Sequence, residues 1–125
     1  MIYNARNQGT ATAIPVNIRL TPAERARLLG QRGEELLALA LAAIKDLAAQ
    51  EGWPLRLIDV LRWQSQEEPD DEYVDVVPEI GPTGLSWDDL FNSLIGCIFH
   101  LGQSLSEADR EFFHDIIHYG VRVKN

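Results

Sequence analysis

Four polar residues near the end of the chain have the residue types of a metal site. Their spacings of four, three and four positions would place them on one face of a helix: Glu107, Glu111, His114 and His118. Imidazole nitrogens and carboxylate oxygens are ligands for zinc and related divalent cations. The preceding apolar segment carries His100, which can supply a third imidazole if the two segments form a helical hairpin. The pattern therefore predicts one divalent-metal site with these ligands: Glu111, His114, His118 and His100.

A simpler interpretation of the same residues is a solvated helix face. The stripe lies opposite Phe112, Ile116 and Tyr119, where polar side chains are expected, and the helix dipole favours a histidine near a helix C-terminus. The segment from His114 to His118 also lacks the glutamate that directly follows the first histidine in zinc proteases. We therefore expect no cofactor, and a divalent metal on this face is the alternative.

Nucleophilic catalysis would need an activated side chain, and Cys97 does not have the surroundings for that role. It lies between Gly96 and Ile98 in the most apolar part of the chain, whereas a reactive thiolate needs a cationic and partly open setting. It is the single cysteine, which excludes an internal disulfide. Because the sequence shows no converging acid, base and nucleophile, it favours a protein that is not an enzyme.

Charge is unevenly distributed along the chain. Residues 1–33 carry five arginines and one acid, residues 34–115 carry eighteen acids and four bases, and the net charge is −8. Such opposite segments can pair within one chain, between two copies or with a partner. The predicted interaction surface combines the densest acidic run with two amphipathic rings: Glu67, Glu68, Asp70, Asp71, Glu72, Trp63 and Trp87.

The basic N-terminal segment suggests a different activity. Asn17 and Arg19 lie on the polar face of a predicted strand, and a capped helix that carries Arg25 follows. Over about 35 residues this order resembles the ribbon-helix-helix repressors, whose paired strands enter the major groove of DNA. The resemblance implies that Asn17 and Arg19 would contact bases. The chain departs from that family in its short segment Pro22–Gly33, in its further 70 or so residues, and in a net negative charge that disfavours nucleic acid.

Periodicity and capping indicate the first elements of the fold. Ile14–Leu20 alternates between apolar and polar residues, as a half-buried strand does. Thr21 and Glu24 form a capping box that begins a helix, and apolar residues continue at helical spacing over residues 22–51. The glycines within that stretch leave open whether it forms one helix or two.

The second half of the chain has a hairpin followed by two helices. Leu55–Gln64 favours a strand, with a short helix as the alternative, and Tyr73–Val77 alternates again after the acidic turn. Ser86 begins a helix that we expect to be mostly buried, and Ser106 begins another that we expect to end at Gly120.

These elements predict an α+β domain. A small antiparallel sheet, made of the N-terminal strand and the central hairpin, would pack against three or four helices in the order β-α-β-β-α-α, with Val121–Val123 as an optional last strand. Residues 1–13 lack any periodicity and predict a flexible arm, so the single domain would comprise residues 14–125.

Composition favours a cytoplasmic protein with a protein partner. The longest apolar stretch, Leu94–Leu101, is far shorter than the roughly 18 residues of a membrane span, and the opening residues do not have the pattern of a secretory signal. We expect a non-catalytic protein–protein interaction or regulatory module that self-associates as a homodimer. A DNA-binding regulator and a small metal-binding protein or enzyme are the alternatives.

Overall fold

Nine helices and strands follow one another in residues 14–124, the part of the chain that the computed structural model describes. The predicted arm, residues 1–13, lies outside the described residues. The elements are β1 Val16–Arg19, α1 Pro22–Leu28, α2 Gly30–Glu51, β2 Leu55–Gln64, β3 Glu72–Ile80, α3 Trp87–Gly102, α4 Glu107–Asp115, β4 Ile117–Tyr119 and β5 Arg122–Val123.

The sheet has the strand order β1-β2-β3-β4, and the short β5 extends the β4 edge by pairing with β3. The hairpin of β2 and β3 is antiparallel, as predicted. β1 instead runs parallel to β2, and both β4 and β5 run parallel to β3, so the sheet is mixed rather than antiparallel. Each parallel pair follows a helical crossover, which returns the chain to the end of the sheet from which it started. The α+β class and the order of elements are confirmed.

The helical stretch after β1 forms two helices. Thr21 Oγ1 accepts a hydrogen bond from the Glu24 amide and the Glu24 carboxylate accepts one from the Thr21 amide, which completes the predicted capping box. α1 ends at Leu28, and α2 begins at Gly30, which has a φ of 64°. Glycine adopts this left-handed conformation without the strain that a Cβ would introduce, so the break falls there.

One face of the sheet packs against the helices and forms one side of the hydrophobic core. Ile58 and Val60 on β2, with Val74 and Val76 on β3, are fully buried beneath the helices. Above them, α2 contributes Leu36, Leu37, Ala40 and Ile44, and α3 contributes Leu90, Leu94 and Ile98. The two-layer arrangement follows from strands with one apolar face each. In residues 14–124, no helix is both long and apolar enough to cross a membrane.

The last helix is shorter than predicted. α4 ends at Asp115, five residues before Gly120, and Ile117–Tyr119 forms strand β4. The Val74 amide donates to the Ile116 carbonyl at 2.7 Å, and Ile117 is buried opposite Val74 in the ladder. Burial of Ile117 at the sheet edge stabilises the strand through contacts with residues that are distant in sequence. The helical periodicity of the local sequence does not reveal these contacts.

The two charge segments meet within one chain. Arg25 of α1 donates to Glu34 of α2 at 2.7 and 2.9 Å, and Arg27 pairs with Glu72 of the acidic hairpin. Arg32 of α2 pairs with Asp109 at the start of α4. Exposed pairs of this kind contribute about 0–1 kcal/mol each. They nevertheless give Arg25, Arg27 and Arg32 intramolecular partners, so the charge of these three arginines does not by itself require a second molecule.

Candidate functional site

The predicted metal ligands do not share a helix face, because the helix ends between them. His114 lies on α4, whereas His118 lies on β4, where its ring stacks on Tyr73 with the centroids 3.6 Å apart. Glu111 and His100 are exposed on α4 and α3. Within residues 14–124, no group of three or more histidine, cysteine or acidic side chains is arranged to hold a metal ion. The prediction of a shared helix face was therefore wrong, since His118 lies on β4 and not on α4.

The residues that we expected to contact DNA are engaged within the chain. Arg19 Nε lies 3.4 Å from the Asp59 carboxylate, and Arg25 makes two hydrogen bonds to Glu34. Asn17 lies opposite Asp59 in the parallel β1–β2 ladder. In a ribbon-helix-helix repressor the equivalent strand pairs between two chains, whereas here β1 pairs within its own chain. DNA binding stays a prediction that this geometry does not strengthen.

The acidic hairpin is partly exposed and partly paired. Glu67, Glu68, Asp70 and Asp71 are exposed at its tip, as predicted for an interaction surface. Glu72 instead receives a 2.7 Å hydrogen bond from Arg62 and also pairs with Arg27. Trp63 stacks on Tyr73 with a centroid distance of 4.7 Å, so one face of its ring is covered.

Trp87 belongs to an apolar surface that sequence analysis did not identify. It stacks on Phe91 at a centroid distance of 4.8 Å, and its indole N–H donates to the Val121 carbonyl at 2.8 Å. Large apolar side chains recur every four residues along this side of α3, and we call the set the α3 surface: Trp87, Phe91, Ile95 and Phe99. The sequence feature that could have indicated this surface is the number of apolar residues in α3, which is larger than one buried helix face can hold.

The exposure of the α3 surface corrects the expectation of a mostly buried helix. Leu90, Leu94 and Ile98 face the core, while Phe99 is 69% exposed, Trp87 47% and Ile95 38%. Leu85, just before the helix, is 45% exposed. A contiguous exposed apolar surface of this type marks an interaction site more often than an isolated exposed side chain does.

Beside the α3 surface, a cavity of about 680 Å³ opens between α3, α4 and β4, and we call it the α3–α4 cavity. Its wall is mainly apolar, and its volume lies within the range of about 300–1,000 Å³ that holds small organic ligands. Its lining residues are Ile95, Ile98, Phe99, Gly102, Gln103, Arg110, Phe113, His114, Ile117, His118 and Tyr119. Two of the predicted metal ligands, His114 and His118, thus line the same cavity, whose lining includes no carboxylate of the described residues.

Tyr119 forms part of the cavity wall, and its hydroxyl is sealed in the interior. The hydroxyl is inaccessible to solvent and has no hydrogen-bond partner in the described structure. Burial, together with the nearby Cys97 thiol, raises the pKa of Tyr119 well above its usual range. Burial and Asp46 likewise raise the pKa of Cys97, whose Sγ lies 3.7 Å from the Ala43 carbonyl oxygen. Both groups therefore stay protonated, which does not suit a nucleophile or a base.

The unpartnered hydroxyl gives a direct stability prediction. Tyr119→Phe removes a buried polar group that makes no hydrogen bond, so we expect the free energy of unfolding to rise by about 1 kcal/mol. Urea denaturation followed by tryptophan fluorescence measures this change. A loss of stability of similar size would mean that the hydroxyl has a partner in solution, such as a buried water.

Two features of the described structure bear on function, the α3 surface and the α3–α4 cavity. Comparison with protein-family models, with curated proteins and with solved structures found no match for this chain.

Proposed function

We propose that this protein is a non-catalytic interaction module that self-associates through the α3 surface. The observation that carries the proposal is the exposure of Phe99, at 69%, on a helix that also exposes Ile95 and Trp87. Full burial of one such side chain contributes about 1.5–3 kcal/mol, so leaving several in water is unfavourable for an isolated chain. A regulatory role would act through this association.

A second copy of the chain fits the α3 surface in an antiparallel arrangement. α3 has 16 residues and is about 24 Å long, so a two-fold axis across its middle would pass near Ile95 and Gly96. Gly96 is exposed, and a Cβ built there meets no atom within 4 Å. A glycine at the crossing point allows two helix backbones to approach closely, so that Ile95 and Phe99 of each copy can be buried against the other.

The charges on α3 also favour the antiparallel arrangement. Asp88 and Asp89 lie in the first turn and His100 lies in the last turn. With the two helices antiparallel, the acids of each copy come near the partner's histidine, and the two helix dipoles oppose each other favourably. A parallel pair would instead bring the acids of the two copies together at one end.

The arginines of the N-terminal segment are not needed for this interface. Arg25, Arg27 and Arg32 already pair with carboxylates of their own chain. Apolar burial then dominates the association, and such burial is insensitive to moderate salt. An association driven by opposite charge segments of two copies would weaken steeply with salt, which separates the two mechanisms.

Gly96→Glu tests the interface without disturbing the isolated fold. In the proposed dimer, two glutamates would face each other across the two-fold axis, and we expect at least a tenfold weakening of association, which corresponds to about 1.4 kcal/mol. Ala49→Glu is the matched control, because Ala49 is also exposed within a helix but lies on α2. Sedimentation velocity over a concentration series at two salt concentrations measures both.

The expected result is a wild-type species of twice the 14.1 kDa chain mass, retained in Ala49→Glu and lost in Gly96→Glu. A dimer that survives Gly96→Glu would show that the interface lies elsewhere. A wild-type protein that stays monomeric at high micromolar concentration would contradict self-association and would leave the α3 surface to a different protein partner.

A further inference from the structure

We infer that the α3–α4 cavity binds an organic anion with an apolar body, and that Arg110 recognises its carboxylate. The cavity is formed within one chain, although Ile95 and Phe99 belong to both its lining and the α3 surface. Its volume of about 680 Å³ suits a small organic molecule, and Ile98, Phe113 and Ile117 give it a buried apolar wall. The apolar wall favours a ligand with an apolar body, and the positive charge of Arg110 favours a ligand with an anionic group.

Arg110 differs from most arginines of this chain. Six arginines of the described residues form ion pairs with carboxylates: Arg19, Arg25, Arg27, Arg32, Arg62 and Arg122. Arg110, in contrast, has no carboxylate within 4 Å among residues 14–124, although the protein is rich in acids. Its guanidinium makes one hydrogen bond, from Nη1 to the Leu105 carbonyl at 3.0 Å, which leaves other N–H donors available.

The stem of Arg110 packs close to Gly102 at the end of α3. A Cβ built at Gly102 would lie 3.7 Å from Cγ and 3.9 Å from Cδ of Arg110, so the stem packs over the end of α3. The hydrogen bond to Leu105 fixes the guanidinium at the same place. A planar guanidinium that is held at the rim of an apolar cavity matches the two oxygens of a carboxylate.

The other groups around the cavity select an anion as well. His114 lies one turn after Arg110 on α4 and contributes a second donor to the lining. No aspartate or glutamate of the described residues lines the cavity, in a chain that has nineteen acids. A cationic ligand would meet Arg110 without a compensating carboxylate, and a neutral ligand would leave the guanidinium unused. A monocarboxylate with a hydrocarbon chain satisfies both the apolar wall and the single guanidinium.

The test uses the full chain and three probes of equal chain length: decanoate, decanol and decylamine. Isothermal titration calorimetry gives the affinities and native mass spectrometry gives the stoichiometry. We expect decanoate to bind once per chain, at least tenfold more tightly than decanol, and decylamine not to bind. Arg110→Gln should weaken decanoate binding at least tenfold and should abolish the preference over decanol.

Arg56→Gln is the matched control, because Arg56 is also exposed and has no carboxylate within 4 Å in the described part of the chain. Arg110→Lys keeps the charge but loses the planar fork, and it should bind decanoate with intermediate affinity. Circular dichroism checks that all three variants fold. Equal decanoate binding by wild type and Arg110→Gln would overturn the inference, as would a failure of decanoate to bind at millimolar concentration.

Measuring decanoate binding by the Gly96→Glu variant distinguishes a failure of this inference from a failure of the proposed self-association. Gly96 does not line the cavity, whereas Ile95 and Phe99 belong to both the cavity and the α3 surface. Unchanged decanoate affinity in Gly96→Glu supports a site that is complete in one chain, even if association is lost. Loss of binding in that variant would overturn the one-chain site.

Discussion

Replacing Asp59 by asparagine is expected to lower the free energy of unfolding by about 2–3 kcal/mol. Asp59 lies on the sheet face opposite the helical layer and is only 4% exposed. Its carboxylate accepts a 2.8 Å hydrogen bond from Arg122, and Arg19 Nε lies 3.4 Å away on the other side. The asparagine amide would keep the shape of the side chain but would leave two guanidinium groups without their shared anion. Arg19 is mostly exposed, and Arg122 keeps Glu79 as a second partner, so the loss falls below the roughly 3–5 kcal/mol of a fully buried pair.

The pH dependence of this effect follows from the pKa of Asp59. The Arg122 hydrogen bond, with smaller contributions from Asn17 and Arg19, holds that pKa below its ordinary value of 3.8, although burial opposes the shift. The carboxylate therefore binds protons more weakly in the folded state than in the unfolded state. Its stabilising contribution is fully present above pH 3.8 and is lost as the pH falls through the folded-state pKa.

Urea denaturation of wild type and Asp59→Asn at pH 7, and at steps down to about pH 3, measures this pattern. The difference between the two proteins should be constant near neutral pH and should shrink as the solution becomes acidic. Glu35→Gln is the control, since the Arg32–Glu35 pair is more than half exposed and should contribute about 0–1 kcal/mol. If Asp59→Asn lowers the free energy of unfolding no more than Glu35→Gln does, the contacts of Asp59 with Arg19 and Arg122 do not stabilise the fold measurably.

Replacing Gly33 by alanine is expected to lower the free energy of unfolding by about 1–3 kcal/mol, even though alanine is the better helix former. Gly33 is buried in α2, and a Cβ there would lie 2.8 Å from Cζ of Phe112 and 2.9 Å from Cβ of Leu29. Phe112 can shift, but Leu29 Cβ is fixed to the backbone at the α1–α2 break. Alanine would therefore displace Phe112 of α4 and also force the backbone at the α1–α2 break to move.

Gly96→Ala is the matched control for this prediction. Gly96 is also a helical glycine, but a Cβ added there meets no atom within 4 Å. We therefore expect Gly96→Ala to raise the free energy of unfolding by about 0.5–1 kcal/mol. Thermal and urea unfolding should be compared at a protein concentration where all variants have the same oligomeric state. Equal effects of the two substitutions would mean that α2 and α4 are not in close contact at Gly33.

Much of the local structure could be predicted from residues close together in the chain. The N-caps at Thr21, Ser86 and Ser106 are all confirmed, because each hydroxyl accepts a hydrogen bond from an amide three residues later. The strand assignment of Leu55–Gln64 and the hairpin that follows it are confirmed as well. Capping and side-chain alternation depend on neighbours within a few residues, so sequence contains the necessary information.

The end of the last helix shows where local information failed. Helical spacing continues through His118, so the sequence favoured one helix that ends at Gly120. The structure ends α4 at Asp115, because Ile117 gains burial and backbone hydrogen bonds by joining β3. The shared face of the predicted metal ligands depended on that helix, and His118 lies on β4 instead, so metal binding stays a prediction.

Local sequence patterns were enough to predict the helix starts, the hairpin, the α+β class and an apolar helix at α3. Long-range packing sets which side of α3 stays exposed, where the cavity opens and which arginines pair with carboxylates. Arg19 meets Asp59 across 40 positions, and Arg32 meets Asp109 across 77. Such pairs, like the parallel strands and the cavity wall, form when distant segments pack together, so no local pattern specifies them.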